Sequence, residues 1–151
     1  MAQSRQTNLE GMAKWADNTN DLAKEVDLEN HDTKLPEVID NIRQELTQIT
    51  EDTSTSSSHA YSASEQEGIK SSYHNFVQSQ EALLSTIIGK HKILAQTPFT
   101  APMGTILTML ESGFDALGDA VIGEVPLFMK EVEAMRDRLD GMLGQAIDLY
   151  G

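Results

Sequence analysis

The stretch TPFTAPMGTILTMLESGFDALGDAVIGEVP, Thr97 to Pro126, decides the fold class. Met103, Leu107, Leu110, Phe114, Leu117 and Val121 recur at alternating steps of four and three, which places them on one face of an α-helix. Pro102 sits just inside the start of this stripe and Pro126 just inside the next, where a missing amide hydrogen is tolerated. Pro98 keeps the preceding helix from running on. The same helix carries Gly104, Gly113, Gly118 and Gly123, each costing about 1 kcal/mol relative to alanine in a helix interior. Close approach of neighbouring helices explains such glycines, and so does room for a molecule that is not protein; the residues alone leave both open.

Outward from this segment the pattern repeats. Leu9, Met12, Ala16, Ala23 and Val26 form one stripe, and Leu35, Ile39, Ile42, Leu46 and Ile49 a second. A longer one runs through Ile69, Tyr73, Phe76, Leu83, Ile87, His91 and Leu94, widened by Val77, Leu84 and Ile88. The last runs through Phe128, Val132, Met135, Leu139, Met142 and Ala146. Pro36 marks the start of the second stripe, and Ser62 with Glu65 reads as a capping box opening the third. The expectation is an all-α, five-helix bundle forming one domain over 1–151, with helices near 5–30, 35–55, 62–95, 101–123 and 125–150. Short joints after the third and fourth helices predict antiparallel neighbours there. The Ser/Thr-rich run TEDTSTSSSHAYSAS, Thr50 to Ser64, reads as a solvated loop, with a lid or an acceptor for O-linked sugar as the functional alternatives.

Composition removes several classes of function. A formal net charge of −13 leaves nothing to neutralise phosphates, so nucleic acid is not an expected partner, nor is an anionic membrane surface. With aromatics at 5%, the core must be aliphatic and methionine. There is no cysteine for disulfides or thiolate metal sites. No apolar run approaches the roughly 18 residues of a membrane span. Met1 to Asn30 has neither the basic nor the apolar region of a secretory signal.

Catalytic patterns are missing too. His31, His59, His74 and His91 lie in no His-Glu-x-x-His or Glu-x-x-His arrangement, so no metal is expected. There is no nucleophile elbow or phosphate loop, and the reading is a non-enzyme without cofactor. Polar residues that fall on inward faces carry more information: Thr19, Thr53, Tyr73, Gln80, His91 and Tyr150. Gln80 lies between Phe76 and Leu83 on one stripe, and a buried amide without a partner costs about 1–3 kcal/mol. It is either bonded within the core or a polar anchor at one end of an apolar pocket. Met103, Met109, Met129, Met135 and Met142 cluster in the last two helices, as core filler or as an adaptable apolar surface.

The second half, ALLSTIIGKHKIL from Ala82 and then Thr97 through Pro126, resembles the fungal hydrophobic surface-binding protein A family, which includes the antigenic cell-wall galactomannoproteins. The places that carry it are Gly89-Lys90, Pro98-Phe99, Pro102 and Val121 to Pro126, and it is clearest over about 80–150. The resemblance implies a five-helix bundle with a central hydrophobic tunnel that holds a long-chain fatty acid such as arachidonic acid. It further implies a secreted or cell-wall protein that sequesters host lipid mediators, its signal removed or excised. On that reading the expected lining is Tyr73, Phe76, Gln80, Leu84, Ile87, Ile88, Ile106, Leu110, Phe114, Leu117, Met135, Leu139, Met142 and Tyr150. The stripes hold no Lys or Arg to meet a carboxylate, so Gln80, Tyr73 or Tyr150 would meet the head group, or water at the mouth. Small residues of the fourth helix would leave the slot. The expected partner is a fatty acid and the expected state a monomer or weak dimer. The alternative is a surface-coating protein with a solid core and an exposed apolar patch, or more remotely a cytosolic helical adaptor.

Overall fold

The computed structural model describes residues 2–54 and 61–150. Among these the chain is all helix: α1 (Ala2–Lys24), α2 (His31–Ser54), α3 (Ala63–Gly89), the single turn α4 (His91–Leu94), α5 (Thr100–Glu124) and α6 (Met129–Tyr150). Much of the Ser/Thr-rich run, with His59, falls at 55–60, outside the described residues.

The ends differ from the periodicity reading for local reasons. α1 stops at Lys24 because Asp27 accepts the backbone N–H of Glu29 and of Asn30, both at 2.8 Å, folding a polar turn. α2 then starts at His31, so Pro36 lies inside it and not at its first position. α3 opens on the expected capping box: Ser62 accepts from the Glu65 N–H at 3.1 Å, and Glu65 accepts from the Ser62 N–H at 2.9 Å. It ends at Gly89, earlier than expected, and α4 follows, with Thr97 and Thr100 donating to the Leu94 carbonyl at 2.7 and 2.8 Å. A 3₁₀ turn, Pro126–Phe128, precedes α6.

The five long helices close into a ring: α1 packs on α3, α3 on α6, α6 on α5, α5 on α2, and α2 back on α1. α1, α3 and α6 run one way, α2 and α5 the other. Arg5, near the start of α1, meets Asp52 and Glu124 at the ends of α2 and α5. Lys90, just past α3, meets the carbonyl of Lys24 at the end of α1. α5 and α6 pack antiparallel as expected, but α3 and α5 only graze each other, because α1 and α6 occupy the flanks of α3. Five cylinders about 10 Å apart in a ring leave an axial space some ~7 Å across. That space is where the apolar stripes converge.

Three of the four glycines of α5 serve the ring, not a slot, while Gly123 is exposed with open space around it. A Cβ on Gly104 would stand 2.6 Å from the backbone oxygen of Tyr150, so α6 ends directly against α5 there. A Cβ on Gly118 would stand 2.6 Å from Cδ of Arg136, whose stem crosses α5 at this point, and one on Gly113 would stand 2.8 Å from Leu46. The expected acyl slot at these small residues is therefore taken by neighbouring chain atoms. Only Met103 of the five late methionines is fully buried; Met109 and Met129 are exposed, and Met135 and Met142 pack at the edge of the core.

Gly104→Ala should destabilise the fold by about 1–3 kcal/mol, since backbone must move. Gly141→Ala, in mid-α6 with nothing within 4 Å of its Cβ position, should instead stabilise by roughly 1 kcal/mol. Denaturant unfolding of the two variants checks the pair.

Candidate functional site

The side chains that fill the axis come from all five long helices. Tyr73 stacks on Phe76 with ring centres 5.9 Å apart, and Phe76 meets Phe114 edge-on at 5.8 Å, joining α3 to α5. Leu84, Ile87, Ile106, Leu110, Leu117 and Leu139 are buried in the same cluster, while Ile88, Met135 and Met142 pack against it half-buried. The Tyr150 hydroxyl donates to the Ile87 carbonyl at 2.6 Å, and the Tyr73 hydroxyl would lie 3.3 Å from a Cβ on Gly118, at the α5–α6 seam. Burial pushes both phenols above their usual range, with the charge of Asp140 adding to the effect at Tyr73.

Gln80 has a partner that periodicity did not supply. It donates through Nε2 to Oε1 of Glu45 on α2, and both side chains are almost inaccessible, Glu45 at 0% and Gln80 at 1%. α2 and α3 are not ring neighbours, so the pair reaches across the axial space. Oε2 of Glu45 and Oε1 of Gln80 have no partner. Desolvation pushes the Glu45 carboxyl up to about 8, the Gln80 bond only partly opposing it. Burial therefore favours the uncharged carboxylic acid over the carboxylate at Glu45, in the middle of an apolar core.

The two ends of the axis are closed differently. At one, the Arg5 guanidinium grips Glu124 by Nε and Nη2 at 2.8 and 3.1 Å and bonds Asp52 through Nη1, while Asn8 donates to Asp52 at 2.6 Å. Desolvation alone would lower the Arg5 pKa, but Glu124 and Asp52 outweigh it and hold the charge. Arg5 corrects the expectation of no inward cation, although both its partners are already carboxylates. At the other end, Lys90 donates to the carbonyls of Lys24 and Val26 at 2.9 and 2.7 Å. Beside it an apolar recess lined by Ala23, Val26, Leu35, Val38, Ile87, Leu94 and Met103 holds about 10 Å³, barely a water.

Larger hollows lie outside the ring. One of about 590 Å³ between α3 and α6 is bordered by Lys70, Ser71, His74, Asn75, Glu131 and Met135, a polar groove that takes in one expected lining residue. Another of about 480 Å³ follows the α2–α5 seam along Leu46, Thr50, Thr53, Met109, Ser112, Gly113 and Ala116. The described residues contain no group of three or more His, Asp or Glu side chains able to hold a metal, and no helix long and apolar enough to cross a membrane. His31 and His91 are spoken for by ordinary contacts, His31 Nε2 lying 2.9 Å from Asp32 Oδ1 and His91 meeting the Tyr150 ring edge-on at 4.9 Å.

The buried charges had a signal. Glu45 is three residues after Ile42 and four before Ile49, on the α2 stripe itself. Arg5, Asp52 and Glu124 each continue a stripe by one further step of three or four. Reading stripes from apolar residues alone leaves such positions out.

Three solved structures share this architecture. AfMP4p in complex with palmitic acid superposes with a TM-score of 0.91 at 14% identity, over 100% of both chains. Ligand binding domain 2 of Penicillium marneffei MP1, complexed with multiple arachidonic acids, gives 0.84 at 14% identity over 98% of this chain and 95% of that one. Domain 1 of the same protein, also with arachidonic acids, gives 0.69 at 12% over 99% and 95%. The chain has the fold of these ligand-binding domains. No family model and no curated protein matches it in sequence, so the likeness is one of fold. It bears out the all-α bundle that the apolar stripes predicted and that the family resemblance implied.

Two measurements follow. A carboxyl raised in the folded state stabilises fully below its unfolded value near 4.5, and that stabilisation is lost as pH rises through about 8. Stability should fall across that window by up to about 1.4 kcal/mol per pH unit on account of Glu45, and Glu45→Gln should remove that part, leaving the smaller fall of Asp140, which burial and Asp115 push up to about 7, and make the protein more stable at pH 8. Arg5→Met should destabilise by about 3–5 kcal/mol, because it takes the cation away from two buried carboxylates. Thermal unfolding from pH 4 to 9 reads both.

Proposed function

We propose that this chain binds a long-chain fatty acid in the axial space of its five-helix ring, and that it is a binding protein, not an enzyme. The observation that carries the reading is the ring: it encloses an apolar axis, and over the whole chain it matches in fold a protein solved in complex with palmitic acid. Tyr73, Phe76, Gln80, Leu84, Ile87, Ile88, Ile106, Leu110, Phe114, Leu117, Met135, Leu139, Met142 and Tyr150 are the proposed lining. They pack on one another here, so a guest enters by spreading the ring. The α2–α5 seam suits that motion, with Ser112, Gly113 and Ala116 along an apolar outer groove.

Energetics fit a sponge more than a sensor. A ligand of about 22 non-hydrogen atoms at roughly 0.3 kcal/mol each gains about 7 kcal/mol, which corresponds to micromolar binding or somewhat tighter. The function we infer is sequestration of free fatty acids, with secretion or a cell-wall location and a monomeric or weakly dimeric state as part of the same reading. The surface-coat alternative finds less support, since the large exposed apolar side chains among the described residues are few: Leu28, Met109, Leu149 and the nearby pair Leu127 and Met129.

Native mass spectrometry of the purified chain, before and after delipidation, tests the proposal. Adducts of fatty-acid mass that return on incubation with palmitic or arachidonic acid are the expected result. At a hundred-fold excess over Kd the ligand should also raise unfolding stability by about 2.7 kcal/mol. A mass and a melting curve unchanged by either acid would refute it.

A further inference from the structure

The Glu45–Gln80 pair does more than fill the core. It stands in the axial space, reached from two helices that are not neighbours, and each partner keeps one oxygen without a hydrogen-bond partner. No cation faces it. Arg5 is about two turns away along α2 and already committed to Glu124 and Asp52. On α1, Lys14, Asp17 and Asp21 are exposed and Glu10 is held by Asn75. From α3, Tyr73 turns its hydroxyl to Gly118. Asp115, Arg136 and Asp140 of α5 and α6 gather around one another and that tyrosine.

Such a site discriminates between head groups by charge. A carboxylate placed beside Glu45 would be a second anion in a desolvated space, and neighbouring carboxyls there do not both ionise. An uncharged carboxylic acid meets no such penalty. Its hydroxyl can donate to the free oxygen of Gln80 or Glu45, and its carbonyl can accept from the Gln80 amide or the Glu45 hydroxyl. Protonated Glu45 supplies the complementary donor, consistent with the upward push that burial gives it.

We propose that Glu45 and Gln80 hold the head group of the acyl ligand as the uncharged carboxylic acid, inserted between them within the axial core. This rests on the axial space being the acyl site. The protein thus takes up the acid with its proton and releases it as pH rises, a two-carboxyl unit that titrates as a pair. Replacing Glu45 by glutamine reverses the preference, since two amides offer N–H donors to an anion and no competing acid.

The test is carbon-13 NMR of palmitic acid labelled at its carboxyl, bound to the full chain and to Glu45→Gln, from pH 5 to 9. In the native protein the bound carboxyl should keep the protonated-acid shift at pH 7, with affinity falling roughly tenfold per pH unit once Glu45 ionises. In Glu45→Gln it should show the carboxylate shift at pH 7, with affinity at pH 8 about tenfold higher than native. A bound resonance that is already a carboxylate in the native chain, or one that Glu45→Gln leaves unchanged, overturns this assignment and leaves the acyl site standing. Absence of any bound resonance in both proteins overturns the acyl reading itself.

Discussion

Five helices closed in a ring cannot bring all their faces into mutual contact. The axis is too narrow for another helix and too wide to stay empty at the density of a protein interior. Something must occupy it: large side chains reaching inward, or a guest. Here Phe76, Phe114 and Tyr73 meet across it, together with leucines and isoleucines from the converging stripes. In the domains that share the fold, the complexes are with fatty acids. The hydrophobic core and the proposed binding site are then one volume. Every side chain that packs it well competes with the ligand, and every ligand that enters must repay lost packing.

This identity of core and site gives the buried polar groups their meaning. Arg5, Asp52 and Glu124 lie at one end, where three helix termini converge and a charge cluster fixes their relative register. Lys90 performs a neutral counterpart at the other end, taking up carbonyls that the end of α1 leaves free. Neither device reaches the middle of the axis. Glu45 and Gln80 do, and apolar residues of the same volume would pack there without leaving unpaired oxygens. Their presence argues for recognition over stability.

The all-α class, the stripes and the capping box at Ser62 were legible because they are local: a helical face repeats every three or four residues whatever it packs against. The site was half legible. Gln80 stands out as a polar residue among apolar ones, whereas Glu45, on an equally apolar stripe, is left out when stripes are read from apolar residues alone. The glycines misled for the same reason. Gly118 looks identical in sequence whether it faces a ligand or the stem of Arg136.

What the sequence by itself determined is the set of helices and their inward faces, since both follow from the periodicity of side chains along one backbone. Its charge and composition also argued against partners that need a basic surface. The tertiary structure alone decided which helices adjoin: that α3 lies between α1 and α6, that α2 and α3 face each other across the axis, and that Glu45 meets Gln80 there. Those are contacts between residues far apart in the chain. Their energies depend on burial and on partners, which no window along the sequence contains.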